Sequence, residues 1–465
     1  MRAVKPLVMS GREVYPLVEG GKGIAVSNGQ SSGAWAAAGG IGTFSGVNAD
    51  YYDENGELVP QVYHGRTRRE RHEELIAFGI RGGIAQARVA HEMSGGEGRI
   101  HMNVLWEMGG AERILQGVLE GARGLVHGVT CGAGMPYKLA ELASHYEVYY
   151  YPIVSSARAF NALWKRSYSK HKEWLGGVVY EDPWLAGGHN GLSNSENPER
   201  PEDPYPRVAA LRKTMRDFGL HDTPIIMAGG VWYLREWEHW LDNAELGPVG
   251  FQFGTRPLLT KESPISDAWK RKLLTLKEGD VYLNRFSPTG FYSSAVRNPF
   301  LMELVGRAER QVAYSTEPMG DHTAEFRIGP RGRAIYLTPH DRDSAAGWVA
   351  QGYTEGLRTP DSTMIFVVPE EAERIRRDQV DCMGCLSACG FSNWAQNEEG
   401  TTGKKADPRS FCIQKTLQNI GHGEDPDHQL MFAGHNAYRF ASDPFYQGGF
   451  IPTVRQLFDR ILTGD

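Results

Sequence analysis

At 465 residues with 41% hydrophobic content, the chain is long enough for one large domain with an appendage and ordinary enough to bury a sizeable core. Its formal charge of −6 gives no electrostatic footprint for nucleic acid or an anionic membrane surface. The N-terminus, Met1-Arg2-Ala3-Val4-Lys5-Pro6, lacks the apolar stretch of a signal peptide, and no segment reaches membrane-spanning length, so a cytoplasmic protein is expected.

Taken in order, strand-like runs near glycine recur. The first is expected at Gly23-Ile24-Ala25-Val26, followed by a small-residue helix from Gly33 to Ala38, and the second at Gly40-Ile41-Gly42-Thr43-Phe44. A polar excursion with Asp50, Asp53, Glu54 and Asn55 leads to a helix from Arg68 to Glu92. The basic cluster at its start, His64 to Arg71, is followed by Glu73 and Glu74 and reads as a solvated helix face. Further strands are expected at Arg99–Leu105, Gly124–Val129, Val148–Val154 and Gly177–Tyr180, with helices around Ala111–Glu120 and Tyr137–Ser144 between them. Pro224–Ala228 and Val249–Phe253 supply the seventh and eighth. Eight apolar strands alternating with helices predict an α/β fold, a closed parallel (β/α)8 TIM barrel over residues 1–304 with residues 305–465 as an extension.

The two last strands end in Gly229-Gly230 and in Gly254-Thr255-Arg256. Glycine lets backbone approach a ligand closely, and free N–H groups at a helix start attract negative charge, so this pair of turns predicts a phosphate site. Two tight turns with no ligand are the alternative. The other loops at strand C-termini are also rich in glycine: Gly20-Gly21-Lys22, Gly39-Gly40, Asn103, Thr130-Cys131-Gly132-Ala133-Gly134 and Ala186-Gly187-Gly188-His189. So much exposed backbone suits a planar ring system.

These motifs, together with Gly39-Gly40-Ile41-Gly42, Gly132-Ala133-Gly134-Met135-Pro136 and Gln252-Phe253-Gly254-Thr255-Arg256, resemble those of FMN-dependent nitronate monooxygenases and the related FMN-type enoyl-acyl-carrier-protein reductases. The resemblance runs from about Tyr15 to Met302 and resumes in the tail, Ala433 to Arg439 and Gly448 to Pro452. It implies FMN across the barrel mouth, with phosphate on Gly230, Gly254 and Thr255, and with Asn103 and the Gly132–Gly134 loop bordering the ring. Gly21, Lys22, Thr130, Gly187, Gly188 and Gly229 complete the expected cofactor site. The similar histidine in the family is the acid/base residue, which implies that role for His189. A lone histidine is otherwise more often a packed or surface residue. The family often carries a carboxylate just before Ala-Gly-Gly; here Leu185 stands there, with Glu181 and Asp182 further back and a polar insertion from Ser193 to Pro206 after it, departures that leave the substrate, though not the flavin, open.

Beyond Leu304 the resemblance lapses, and four of the five cysteines gather there as Cys382, Cys385, Cys389 and Cys412. The C-x2-C-x3-C spacing with a distant fourth thiol suits a [4Fe–4S] cluster, and the segment resembles the cluster loop of 2,4-dienoyl-CoA reductase-like flavoenzymes. Structural zinc is the alternative, although its ligands usually come as two short pairs. Cys131 reads as a small packed residue. The expected activity is FMN-dependent reduction of an activated C=C bond in a small molecule, fed by NAD(P)H or a ferredoxin-like donor. Strict nitronate oxidation with structural cysteines and a noncatalytic flavin-binding, partner-docking protein are the rivals.

Overall fold

The computed structural model describes every residue except Glu54 and Ala133, so these two expected loop positions lie outside the described residues. Eight strands close into a barrel: Leu17–Glu19, Ile41–Ser45, Arg99–Leu105, Gly128–Gly132, Tyr149–Val154, Val178–Glu181, Ile225–Ala228 and Val249–Phe253. Every neighbouring pair is parallel, and the seam closes where Phe251 registers with Leu17. Strand residues such as Val18, Ile41, Tyr151, Val179 and Ile226 fill the lumen, so this is a packed TIM barrel rather than a pore. No described helix is long and apolar enough to cross a membrane.

Two strands sit elsewhere than the sequence suggests. The first is Leu17–Glu19, and residues 23–26 form a turn. Ile24 and Val26 are buried because they line the cavity at the barrel mouth, a burial that mimics a strand's apolar run. The fourth begins at Gly128 rather than Gly124, whose φ of +82° belongs to a turn, and continues through Thr130, Cys131 and Gly132. The long helix Arg68–Met93 starts at a reciprocal cap, in which Thr67 accepts from Glu70 N–H and Glu70 reaches back. The hairpin Leu7–Met9/Arg12–Val14 covers the opposite end of the barrel, with fully buried Met9 packed against the lumen residues.

The chain beyond 304 divides in two. Strands and helices between Gln311 and Phe366 carry a satellite core of Val312, Ile328, Ile335, Leu337, Ala345, Met364 and Phe366. The rest joins the barrel's own core. The final helix, Val454–Leu462, begins at a cap of Thr453 and Gln456 and lays Phe458 edge-on to Trp35, 5.3 Å between ring centres. Trp35 in turn donates to Leu17 O at 3.0 Å, so the tail braces the helix that supports the first strand. Phe458→Ala is expected to cost about 3–5 kcal/mol of stability. An unchanged denaturation midpoint would show the tail to be merely appended.

Candidate active site

The strand C-termini open into one cavity walled by Gly20, Gly21 and Lys22, the Leu185–His189 loop, the Ala228–Trp232 turn and Gln252–Arg256. Gly229 and Gly230 have φ of +89° and +79°, a left-handed backbone that favours glycine. A side-chain carbon at Gly230 would meet Leu185 at 2.7 Å, whereas one at Gly254 would meet no protein atom within 4 Å and would stand in open space. The turns lead into short 3-10 segments, Leu234–Trp240 and Arg256–Leu259, so the expected helix dipole contributes little here. A buried arginine stands beside the second turn. Arg256, 1% exposed, lies 5.0 Å over the Trp232 ring and donates through Nη1 to Trp232 O at 2.9 Å. Its Nη2 forms a buried ion pair with Asp443 Oδ2 at 3.8 Å, too long for a hydrogen bond, and has no hydrogen-bond partner among the described residues. An orphan guanidinium N–H on the wall of a glycine cradle suits a phosphate.

The tail closes this end. Gly434 N–H donates to Thr255 Oγ1 at 2.9 Å, and Asn436 Nδ2 donates to Gly230 O at 2.6 Å. Ala433 sits so close to Gly187 that a side chain there would fall 2.6 Å from its carbonyl carbon. Arg256 and the residues 433–436 were legible as motifs, but their convergence on one cradle was not.

Elsewhere on the cavity wall, a side chain on Gly21 would fall 2.1 Å from Asn103 Cβ, which makes glycine obligatory beside that amide. Asn103 and Gly132 line the cavity. Two expected wall residues do not: Thr130 lies behind and donates to Asn103 Oδ1 at 3.3 Å, while Gly134 (φ +106°) packs near Glu107, which takes the wall position. Lys22 bonds Gly20 O at 2.8 Å and Glu19 Oε1 at 3.3 Å; burial pulls the lysine below its ordinary range and pushes the glutamate up, each opposing charge resisting the shift.

His189 is held at both levels. Its backbone registers with Ser293 in a short antiparallel pair, and its Nε2 is 2.6 Å from Ser287 Oγ, which is 2.8 Å from Thr289 Oγ1. The Phe432 ring stands edge-on at 5.3 Å. Burial pushes His189 down to about 4, so the imidazole is neutral at physiological pH. Asp182 accepts from Trp184 N–H at 2.9 Å and Leu185 N–H at 2.8 Å and so shapes the loop that carries the histidine. Its neighbour Glu181 faces the cavity and is pushed up to about 8, chiefly by burial and further by Asp182.

The remaining wall comes from far along the chain: Ile413, Leu417 and Ile420 of helix Ile413–Gly421, with Met431 and Phe432, make it apolar. Cys131 is fully buried, and burial raises its thiol well above the ordinary range. Burial chiefly, and then the neighbouring Cys412, Cys389 and Cys382, push the Cys385 thiol well above its ordinary range. Among the described residues, however, no three His, Cys, Asp or Glu side chains are arranged to hold a metal ion. Neither the expected [4Fe–4S] cluster nor the zinc alternative therefore finds an arranged ligand set in these side chains.

A TIM barrel with this cavity defines an FMN-dependent oxidoreductase. The chain belongs to the nitronate monooxygenase family, whose model matches residues 113–445. No curated protein matches the sequence. The structure is similar to FabK from Thermotoga maritima, 15% identical over 97% of this chain and 92% of that one, with a TM-score of 0.51. It is also similar to the enoyl reductase domain of MlnA from Bacillus amyloliquefaciens, 13% identical over 97% and 93% of the two chains, with a TM-score of 0.54. At these identities the fold is what is shared.

Proposed function

We propose that the protein reduces an activated C=C bond in a substrate bearing an apolar chain, with His189 moving the proton. The observation that carries this is the His189–Ser287–Thr289 series on a cavity with a glycine cradle at one end and the apolar Ile413–Leu417–Ile420 wall at the other. Bound FMN would supply the hydride chemistry. Gly230, Gly254, Thr255 and Arg256 would hold its phosphate, and Asn103 and Gly132 would border its ring. Ser287 fixes the ring orientation of His189 and, with Thr289, offers a hydroxyl path by which a proton returns to Nε2. The enoyl reductases of the same fold make this substrate class a reasonable one, and NAD(P)H or a ferredoxin-like carrier would supply the electrons.

Nitronate oxidation is the second reading. A neutral imidazole is a ready base for a proton on carbon, and the family model carries that name. Anaerobic loss of an α,β-unsaturated thioester in the presence of a reductant supports the first reading. Fast oxygen uptake with an alkyl nitronate and no reductant would overturn it.

The depressed histidine sets a pH signature. In the unfolded chain imidazole takes its proton near pH 6.5, but in the fold only near 4. On falling from pH 6.5 towards 4 the unfolded state gains the proton first, so His189 makes the fold progressively less stable over that window. Where the neutral ring acts as the base, kcat/KM keeps its acid side flat down to about pH 5. An acid limb at pH 6.5 that disappears in His189→Gln would contradict the burial argument.

A further inference from the structure

We propose that Phe291 selects the apolar chain of the substrate, as a fixed aromatic post at the mouth of the cavity; that this chain belongs to an unsaturated thioester rests on the reading above. Several large apolar side chains stand exposed among the described residues, and Phe291 is the one of them that also lines the cavity. At 43% exposure it meets water on one side and the cavity on the other, which places it where the cavity opens. A single apolar ring on an outer surface is ordinary. One at the edge of an apolar cavity is area that an entering chain removes from water. The wall rings Trp232 and Phe253 have no such area left to offer, because both are buried, against Phe440 and Trp35 respectively.

The loop that carries Phe291 is tied down on both sides. Residues 285–292 join strand Val281–Asn284 to Ser293–Val296, the strand that pairs with Gly188–His189. Phe286 O accepts from Ser410 Oγ at 2.6 Å, and Pro288 O accepts from Gly390 N–H at 2.9 Å, so the C-terminal extension buttresses the loop. Arg285 lays its guanidinium 5.0 Å over the Tyr292 ring. Gly290, with φ of +76°, makes the turn between the two cavity-lining residues Thr289 and Phe291.

The same loop reaches the imidazole. Phe291 N–H donates to Thr289 Oγ1 at 3.2 Å, and that hydroxyl lies 2.8 Å from Ser287 Oγ, which holds His189 at 2.6 Å. Three hydrogen bonds therefore set the position of the Phe291 backbone relative to the proton-carrying ring. A post held in this way needs no ordering when a ligand arrives, so the apolar contact it makes goes into selection. A chain long enough to reach the mouth gains that contact, and one too short to reach it does not. Changes of methylene size in an apolar pocket shift specificity by about 10-fold or more, and removal of a whole ring is a larger change than that.

The purified full chain with its flavin is compared with Phe291→Ala and Phe291→Leu. Titration calorimetry under nitrogen with decanoyl-CoA and butyryl-CoA, saturated thioesters with no C=C bond to reduce, reads chain binding apart from turnover. Phe291→Ala is expected to weaken decanoyl-CoA by about 10-fold and to leave butyryl-CoA within about threefold, with Phe291→Leu between. With a reductant present, kcat/KM for trans-2-decenoyl-CoA should fall by about 10-fold or more in Phe291→Ala while that for crotonyl-CoA holds. The ring is partly exposed, so melting curves should stay unchanged; should Phe291→Ala melt early, Phe291→Leu carries the comparison. Equal losses for long and short chains, no loss for either, or no binding of decanoyl-CoA to the unaltered protein overturns the role of Phe291. Chain-length-dependent binding that Phe291→Ala abolishes, with neither enoyl thioester reduced, would leave that role standing and overturn the reductase reading alone.

Discussion

Replacing His189 with alanine lowers kcat by about 10²–10⁴-fold, equivalent to about 3–5 kcal/mol of barrier, while the flavin stays bound. The size follows from what is removed: the imidazole itself and its 2.6 Å link to Ser287. The flavin is spared because the phosphate cradle and Asn103 belong to other strand ends. His189→Gln keeps a polar group near Ser287 but cannot carry a proton, so it should fall with the alanine variant. Ser287→Ala leaves the imidazole in place without its anchor and should lose less. Steady-state kinetics with flavin content measured on the same samples separates these cases. Full activity in His189→Ala would favour a protein that binds flavin without using it.

Gly254→Val is expected to weaken FMN binding by about two orders of magnitude without unfolding the chain. A side chain at Gly254 meets no protein atom within 4 Å, so the barrel accommodates it, but the added carbons stand where a phosphate would lie. A poorly accommodated side chain commonly costs about 1–3 kcal/mol, and one displacing a bound anion stands at the upper end, two orders of magnitude in affinity. Gly21→Val makes the contrast, because its Cβ would fall 2.1 Å from Asn103 Cβ and should lower thermal stability as well. Circular dichroism melts with flavin absorbance distinguish the two. Normal FMN retention in Gly254→Val would mean that the anion lies elsewhere.

The barrel was legible because its strands are short apolar runs, several of them stopped by a glycine turn, a pattern that survives without tertiary information. Its errors have physical causes. Ile24 and Val26 are apolar because a cavity, not a sheet neighbour, covers them. Thr130 was legible as a loop polar residue but serves the adjacent Asn103, because the fourth strand runs on to Gly132 and sets Thr130 beside Asn103. Gly254-Thr255-Arg256 predicted a helix dipole, but only a four-residue 3-10 segment follows, and the buried Arg256–Asp443 pair stands beside the turn instead. The long-range pieces were invisible: the pairing of Gly434 with Thr255, and the grip of Arg71 on the Cys382 carbonyl, each join residues far apart in sequence.

The central claim is that glycine turns and Arg256 at the ends of the last two strands hold the phosphate of a flavin. Titrating flavin-free protein with FMN and, separately, with riboflavin, followed by quenching of flavin fluorescence, tests it directly. Saturable binding of FMN at one site per chain, with riboflavin weaker by about 10²-fold, is the predicted result, since riboflavin lacks the anion those donors face. Equal affinities for the two, or no binding of either, would contradict it.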